Sequence, residues 1–320
     1  MTEPILEVRD LTVHYRTKRG PIHAIDNVSF DLRLGETLGV VGETGCGKST
    51  LAKSILGILP PRTERSGSLK LRGRELLDVR PSEYRKLRGE ELALIFQDPM
   101  TRLDPLMTIR DHFIETIRVH HRDISKAEAT EGAAEALRSM GIPRSRLNHY
   151  PHEFSGGMRQ RIMIAMAIVL KPKLLVADEP TTALDVIVEA QILDILRDLK
   201  RAYSMSLLLI THNLGIVAEV CDRAAVMYAG KFAEIGSVDD VFRHGIHPYT
   251  RGLLESTIHL QTKALHSIDG LPPSLLDPPS GCRFHPRCPF AKEICIREEP
   301  PSVEYSPGHL AACHFGSDFL

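Results

Sequence analysis

The nine residues Gly42-Glu43-Thr44-Gly45-Cys46-Gly47-Lys48-Ser49-Thr50 have the composition of a phosphate cradle. They match G-x-x-x-x-G-K-[ST], follow the apolar run TLGVV and open the helical pattern STLAKSILGIL. Glycines at 42, 45 and 47 allow the backbone to curl with its N–H groups inward, and the helix that follows adds a partial positive charge. Lys48 would reach the β- and γ-phosphates, and the Ser49 hydroxyl would ligate Mg²⁺, which favours hard oxygen donors. A second chemical element is the apolar run KLLVADEP, residues 173–180, which ends in two acids. Asp178 would hold Mg²⁺ directly or through water, and Glu179, pointing elsewhere, would orient or deprotonate an attacking water. A third is Ser155-Gly156-Gly157 at the start of the helical pattern MRQRIMIAMAIVL. That is a second nest of backbone donors for phosphate, although one nucleotide needs only one. Two cradles per chain make sense if two copies pair head-to-tail, each closing the other's site.

Positioning these groups requires strands that end at the site. Residues 5–13, 36–41, 92–96, 173–178, 206–210 and 224–228 are short runs rich in Val, Ile and Leu, the pattern of strands buried on both faces. Helical patterns at 48–59, 187–202 and 213–220 read as crossovers, so the expected class is α/β with a mixed, mainly parallel sheet. Residues 98–170 carry helical patterns without a convincing strand, which reads as an inserted helical subdomain. After about residue 255 the chain turns proline-rich, and GLPPSLLDPPSGC at 270–282 marks a linker to a cysteine-bearing tail. The expected division is therefore a phosphate-binding α/β domain over 1–255 and an extension over 256–320.

Composition narrows the function classes. The chain has 320 residues with 42% apolar and 25% charged side chains, and its net charge of -1 gives no electrostatic footprint for nucleic acid. Residues 1–15 pass directly into a strand pattern with no basic region followed by an apolar one, so the cytoplasm is the expected compartment. The longest apolar run, IMIAMAIVL, has nine residues, against roughly 20 needed to span a bilayer. Any membrane service would need other chains to cross.

These motifs, in this order, resemble the ATP-binding subunits of ABC transporters over nearly the whole of the first 255 residues. The resemblance implies that Tyr15 stacks on adenine and that residues 42–50 hold the phosphates. It makes Gln97, in IFQDP, the glutamine that ligates Mg²⁺ and reports the γ-phosphate. Asp185, closing TTALD, would be the aspartate facing a second subunit, and His212, in LLLITHN, the histidine that steadies the γ-phosphate. The family's L-S-G-G-Q signature stands here as Phe154-Ser155-Gly156-Gly157-Met158, leaving the phosphate-contacting core intact. The implied activity is ATP hydrolysis with Glu179, His212 and Lys48 as catalytic residues. The implied partners are a second ATPase subunit, expected to be nonidentical, two permeases and an extracytoplasmic binding protein, with the chain peripheral at the cytoplasmic face of the inner membrane.

FQDPMTRLDP at 96–105 and HPYTRGLL at 247–254 resemble the dipeptide, oligopeptide and nickel importers, so the expected cargo is di- or oligopeptides, with nickel or glutathione as alternatives. A soluble ABC ATPase acting on nucleic acid or ribosomes is the rival class.

Four of the six cysteines, Cys282, Cys288, Cys295 and Cys313, lie in the tail with spacing C-x5-C-x6-C-x17-C. A reducing cytoplasm disfavours disulfides, and metal ligation is the better reading. The spacing fits neither the usual structural zinc pattern nor the bacterial ferredoxin run, and leaves zinc, iron–sulfur and free thiols open. The resemblance to peptide-importer tails of the form GC-F-RCP-A implies a [4Fe–4S] cluster. Zinc is the alternative, with His285, His309 and His314 as further donors. Cys46 and Cys221 read as small buried residues. Lying past the ATPase core, the tail is expected to stabilise or sense and to stay out of hydrolysis.

Overall fold

The computed structural model describes residues 3–96, 102–182, 184–256 and 267–320. The chain forms two compact units. One comprises residues 1–78 and 209–320, the other 79–208, so the chain passes from one to the other after Asp78 and again inside the strand Ser206–Ile210.

In the first unit the core strand Thr37–Val41 is buried at every residue and runs parallel to Arg223–Tyr228. Lys231–Ser237 pairs antiparallel with Arg223–Tyr228, and the tail hairpin Val303–Ser306 and His309–Ala311 adds to it through Glu234↔Ala311 and Ile235↔Leu310. A separate four-stranded antiparallel sheet is built from Gly20–Arg33, Pro4–Thr17, Glu64–Leu71 and Arg74–Glu75, in that order. The expectation that residues 5–13 are buried on both faces is therefore corrected. Val8, Leu11 and Val13 are buried while Arg9 and Asp10 face solvent, because an antiparallel sheet needs cover on one face only. The strands Gly20–Arg33, Glu64–Leu71 and Lys231–Ser237 escape a search for apolar runs, since they interleave charge with hydrophobic residues.

The second unit pairs Leu92–Ile95 parallel with Leu174–Asp178. Between these strands, among the described residues, the chain is helical. Ile109–His120 is capped by Thr108, Lys126–Ser139 by a Ser125/Glu128 capping box, and Gly156–Ile168 by Ser155. Pro81–Leu87 is a short further helix. Val186–Tyr203 follows the acidic strand end and buries Ile192, Leu193, Leu196 and Leu199 on one stripe. Among the described residues no helix is long and apolar enough to cross a membrane.

Candidate functional site

The phosphate loop leaves the strand Thr37–Val41 and feeds the helix Lys48–Ile55. Gly42 and Gly47 have φ of 154° and 114°, and a Cβ on either would lie 2.1 Å from Met227 O or 2.3 Å from Ala24 O. Only glycine fits. Gly47 ends the loop in the left-handed region and starts the helix with no side-chain cap. Thr44 and Gly45 form the exposed tip, whereas Cys46 is buried, as expected for a small structural residue.

Lys48 is 5% exposed, and its ammonium donates to Gly42 O at 2.6 Å and to Glu43 O at 3.0 Å. The loop thus stores its cation on its own carbonyls. Tyr15 donates through its hydroxyl to Thr50 Oγ1 at 3.1 Å, which fixes the ring beside the helix that carries the loop's last residues. Ser49 lies in the first turn of that helix. His212 is exposed just beyond the strand Ser206–Ile210, where Thr211 N–H donates to Val40 O at 3.1 Å, and Asn213 caps the next helix.

In the second unit Asp178 is the last residue of its strand, and Glu179 has φ of 48°. A non-glycine residue in the left-handed region is held by its surroundings. Here the Thr182 hydroxyl donates to Glu179 Oε2 at 2.9 Å. Strain at Glu179 is a signal that residue type and spacing do not carry. Ser155 accepts from Met158 N–H at 3.4 Å, and Ser155 and Gly156 are both exposed. The two signature glycines do different work. A Cβ at Gly156 would meet nothing within 4 Å, but one at Gly157 would lie 2.8 Å from Val188 Cγ1, so Gly157 lets two helices approach. Asp185 caps the helix Val186–Tyr203 by accepting from Val188 N–H at 2.9 Å, and the next two residues, Val186 and Ile187, are 80% and 72% exposed. Gln97 lies outside the described residues.

The tail packs into the core of the first unit. Phe284 lies 5.2 and 5.3 Å, ring centre to ring centre, from Tyr228 and Tyr249, within one buried cluster that also holds Val41 and Val217. Arg287 then reaches the phosphate loop, its guanidinium donating to Glu43 Oε2 at 2.7 Å and Oε1 at 3.0 Å. The extension that lies past the ATPase core in sequence therefore packs against that core and touches its phosphate loop. The HPY segment has a local function too: His247 Nδ1 accepts from Tyr249 N–H at 3.0 Å, Pro248 opens the helix, and the Tyr249 hydroxyl accepts from Glu43 N–H at 3.0 Å. Burial pushes His247 down to about 4, so it stays neutral.

The four tail cysteines line one small cavity with Phe284, Phe290, Phe315 and Phe319. His285 and His314 also border it, each with one ring nitrogen already on a backbone carbonyl, Cys282 O and Glu298 O. His309 does not take part. Its Nε2 is bonded to the buried Glu234 carboxylate at 2.7 Å. Burial raises the Cys282 thiol to about 11, and it raises Cys288 and Cys313 as well. The backbone N–H groups of Phe284, Phe290 and Phe315 act the other way on Cys282, Cys288 and Cys313, but burial outweighs them.

Among the described residues, His14, His23 and Asp26 are the group of three potential ligands whose atoms lie within 4.8 Å of one another. Arg283 donates to Asp26 Oδ2, so a cation there would face a guanidinium. We read this group as a salt-bridge cluster.

The phosphate loop, the acidic strand end and the α/β fold define an ABC-type ATPase, an enzyme that hydrolyses ATP. The family model described as ABC transporter matches residues 25–182, and that for the oligopeptide/dipeptide transporter C-terminal region matches residues 233–295. Over 313 residues the chain is 48% identical to the oligopeptide transport ATP-binding protein OppD of Salmonella typhimurium, covering 97% of this chain and 93% of the relative. It is 46% identical to the dipeptide transport ATP-binding protein DppD of Bacillus subtilis, covering 97% and 94%. Among solved structures, it is similar to the dimeric ATP-binding cassette MJ0796 bound to ADP and Pi, with a TM-score of 0.66 and 25% identity over 73% of this chain and 98% of that one. The chain belongs to the oligopeptide/dipeptide branch of ABC transporter ATP-binding subunits.

Proposed function

We propose that this chain drives the import of di- or oligopeptides by hydrolysing ATP against membrane-spanning permease subunits, from the cytoplasmic face of the inner membrane. The observation that carries this reading is that one chain presents two backbone phosphate cradles, the loop at 42–50 and the exposed Ser155-Gly156 helix start. Each cradle is complete only if a second ATPase subunit brings the other. The exposed Val186 and Ile187 beside the Asp185 cap supply apolar surface for such a partner. The names of the relatives support the peptide cargo.

The resemblance implies Ser49, Gln97 and Asp178 as the residues that would hold Mg²⁺, each a hard oxygen donor of the kind the ion favours. Held by them, the ion would supply charge neutralisation at the phosphates. Lys48 leaves the carbonyls of Gly42 and Glu43 to bind the γ-phosphate, and His212 steadies it from the strand end. Glu179, fixed by Thr182, orients water for in-line attack. The test is Glu179→Gln in the reconstituted transporter. Hydrolysis should fall by about 10²-fold or more with ATP binding retained. Unchanged hydrolysis refutes the assignment.

The tail cysteines hold a [4Fe–4S] cluster in this reading. What supports it is that the four thiols line one aromatic-walled cavity, which brings together cysteines as much as 31 residues apart in the chain.

A further inference from the structure

We propose that Arg287 is a positioning residue for ATP binding, the counter-charge that allows an acidic residue, Glu43, to stand in the phosphate loop. Glu43 is held at every polar group. Its N–H donates to the Tyr249 hydroxyl at 3.0 Å, its carbonyl accepts from Lys48 at 3.0 Å, and its carboxylate takes both arms of the Arg287 fork. The arginine is itself fixed: its Nε donates to Asp269 O at 2.9 Å, its side chain is 5% exposed, and it closes the short turn His285–Arg287 that leads into Cys288. A planar fork matched to a carboxylate in two places defines orientation as well as charge.

The electrostatic consequence follows from where Glu43 sits. It is the second residue of a loop that must receive a polyanion, and its side chain is 25% exposed. With Arg287 in place the pair is neutral. Without it, a free carboxylate faces the incoming phosphates, and the backbone carbonyl that holds Lys48 loses its lateral support. A second arginine of the same tail acts alongside. Arg283 donates to Ala229 O and to Asp26, whose other carboxylate oxygen is bonded to His14, the neighbour of Tyr15. The tail thus completes the nucleotide-binding surface from outside the residues that carry the ATPase motifs.

The experiment is equilibrium titration of the anaerobically purified full chain with a fluorescent ATP analogue and Mg²⁺, followed by ATPase kinetics in the assembled transporter. Arg287→Met should weaken binding about tenfold and raise KM in step, with kcat at saturating ATP unchanged within about twofold. Restoring neutrality by the double change Arg287→Met with Glu43→Gln should recover most of the lost affinity, which a purely structural role for the arginine would not produce. Arg287→Lys, which keeps the charge without the fork, should lose only about threefold. It also serves if the methionine variant fails to fold. Arg287→Met with wild-type affinity, a double variant no better than the single one, or a lysine variant as weak as methionine would each overturn the proposal.

Discussion

Glu234 offers a stringent test of how the tail is fastened. It is 1% exposed in the strand Lys231–Ser237, and its carboxylate accepts from Ile246 N–H at 2.8 Å, from His247 N–H at 2.9 Å and pairs with His309 Nε2 at 2.7 Å. One side chain therefore joins the core strand, the HPY helix and the tail hairpin. Glu234→Ala strands two backbone donors and a buried imidazole. Each unpaired buried group costs about 1–3 kcal/mol, and relaxation recovers part, so a net loss of about 4 kcal/mol is expected. At about 2–4 °C per kcal/mol for a unit of this size, the melting temperature should drop by roughly 10 °C. Differential scanning fluorimetry reads the shift. Hydrogen exchange locates it, because the amides of residues 303–311 and 246–250 should lose protection before the strand Thr37–Val41 does. A drop under about 2 °C, or a loss of protection spread evenly over the first unit, would refute the fastening argument.

Three further outcomes are expected. His247 is pushed down to about 4 in the fold from an ordinary 6.5, so the unfolded chain binds the extra proton between those values. Stability from this group is full above about pH 6.5 and is lost as pH falls toward 4, by about 3 kcal/mol in all. His247→Asn, which keeps an acceptor at the helix start, should flatten the melting-temperature profile between pH 7 and 5 relative to wild type; parallel profiles would count against the buried neutral imidazole. Gly157→Val drives a side chain into Val188 and should cost about 1–3 kcal/mol and most of the hydrolysis, while nucleotide binding to the isolated chain persists. Anaerobic preparations should carry iron and acid-labile sulfide in near-equal amounts, lost together in Cys282→Ser, and a zinc-only result would sink the cluster.

The chemical motifs are legible in the sequence because they are local. A glycine-rich loop must sit between a strand and a helix to cradle phosphate, and both neighbours are contiguous with it at 37–41 and 48–55. The buried strands at 92–95, 174–178 and 206–210 are equally legible, since each is a short unbroken apolar run. Strands that leave one face wet, such as Gly20–Arg33 and Glu64–Leu71, are not, because their pattern is shared with polar loops. HPYT could be marked as a subfamily feature, but its meaning is a hydroxyl placed on Glu43 N–H from 206 residues away.

By itself, then, the sequence determined the ATPase class, the order of the motifs along the chain, and the presence of a four-cysteine tail. Each depends on residues adjacent in the chain or on the order of motifs along it. Tertiary structure alone decided that Glu179 is held in the left-handed region, that Gly157 serves helix packing while Gly156 stays open, and that the tail returns to the nucleotide loop through Arg287. The physical reason is that a charge pair linking positions 43 and 287 leaves no trace in local propensity or periodicity. It exists only once the core has folded and brought a distant turn to the loop.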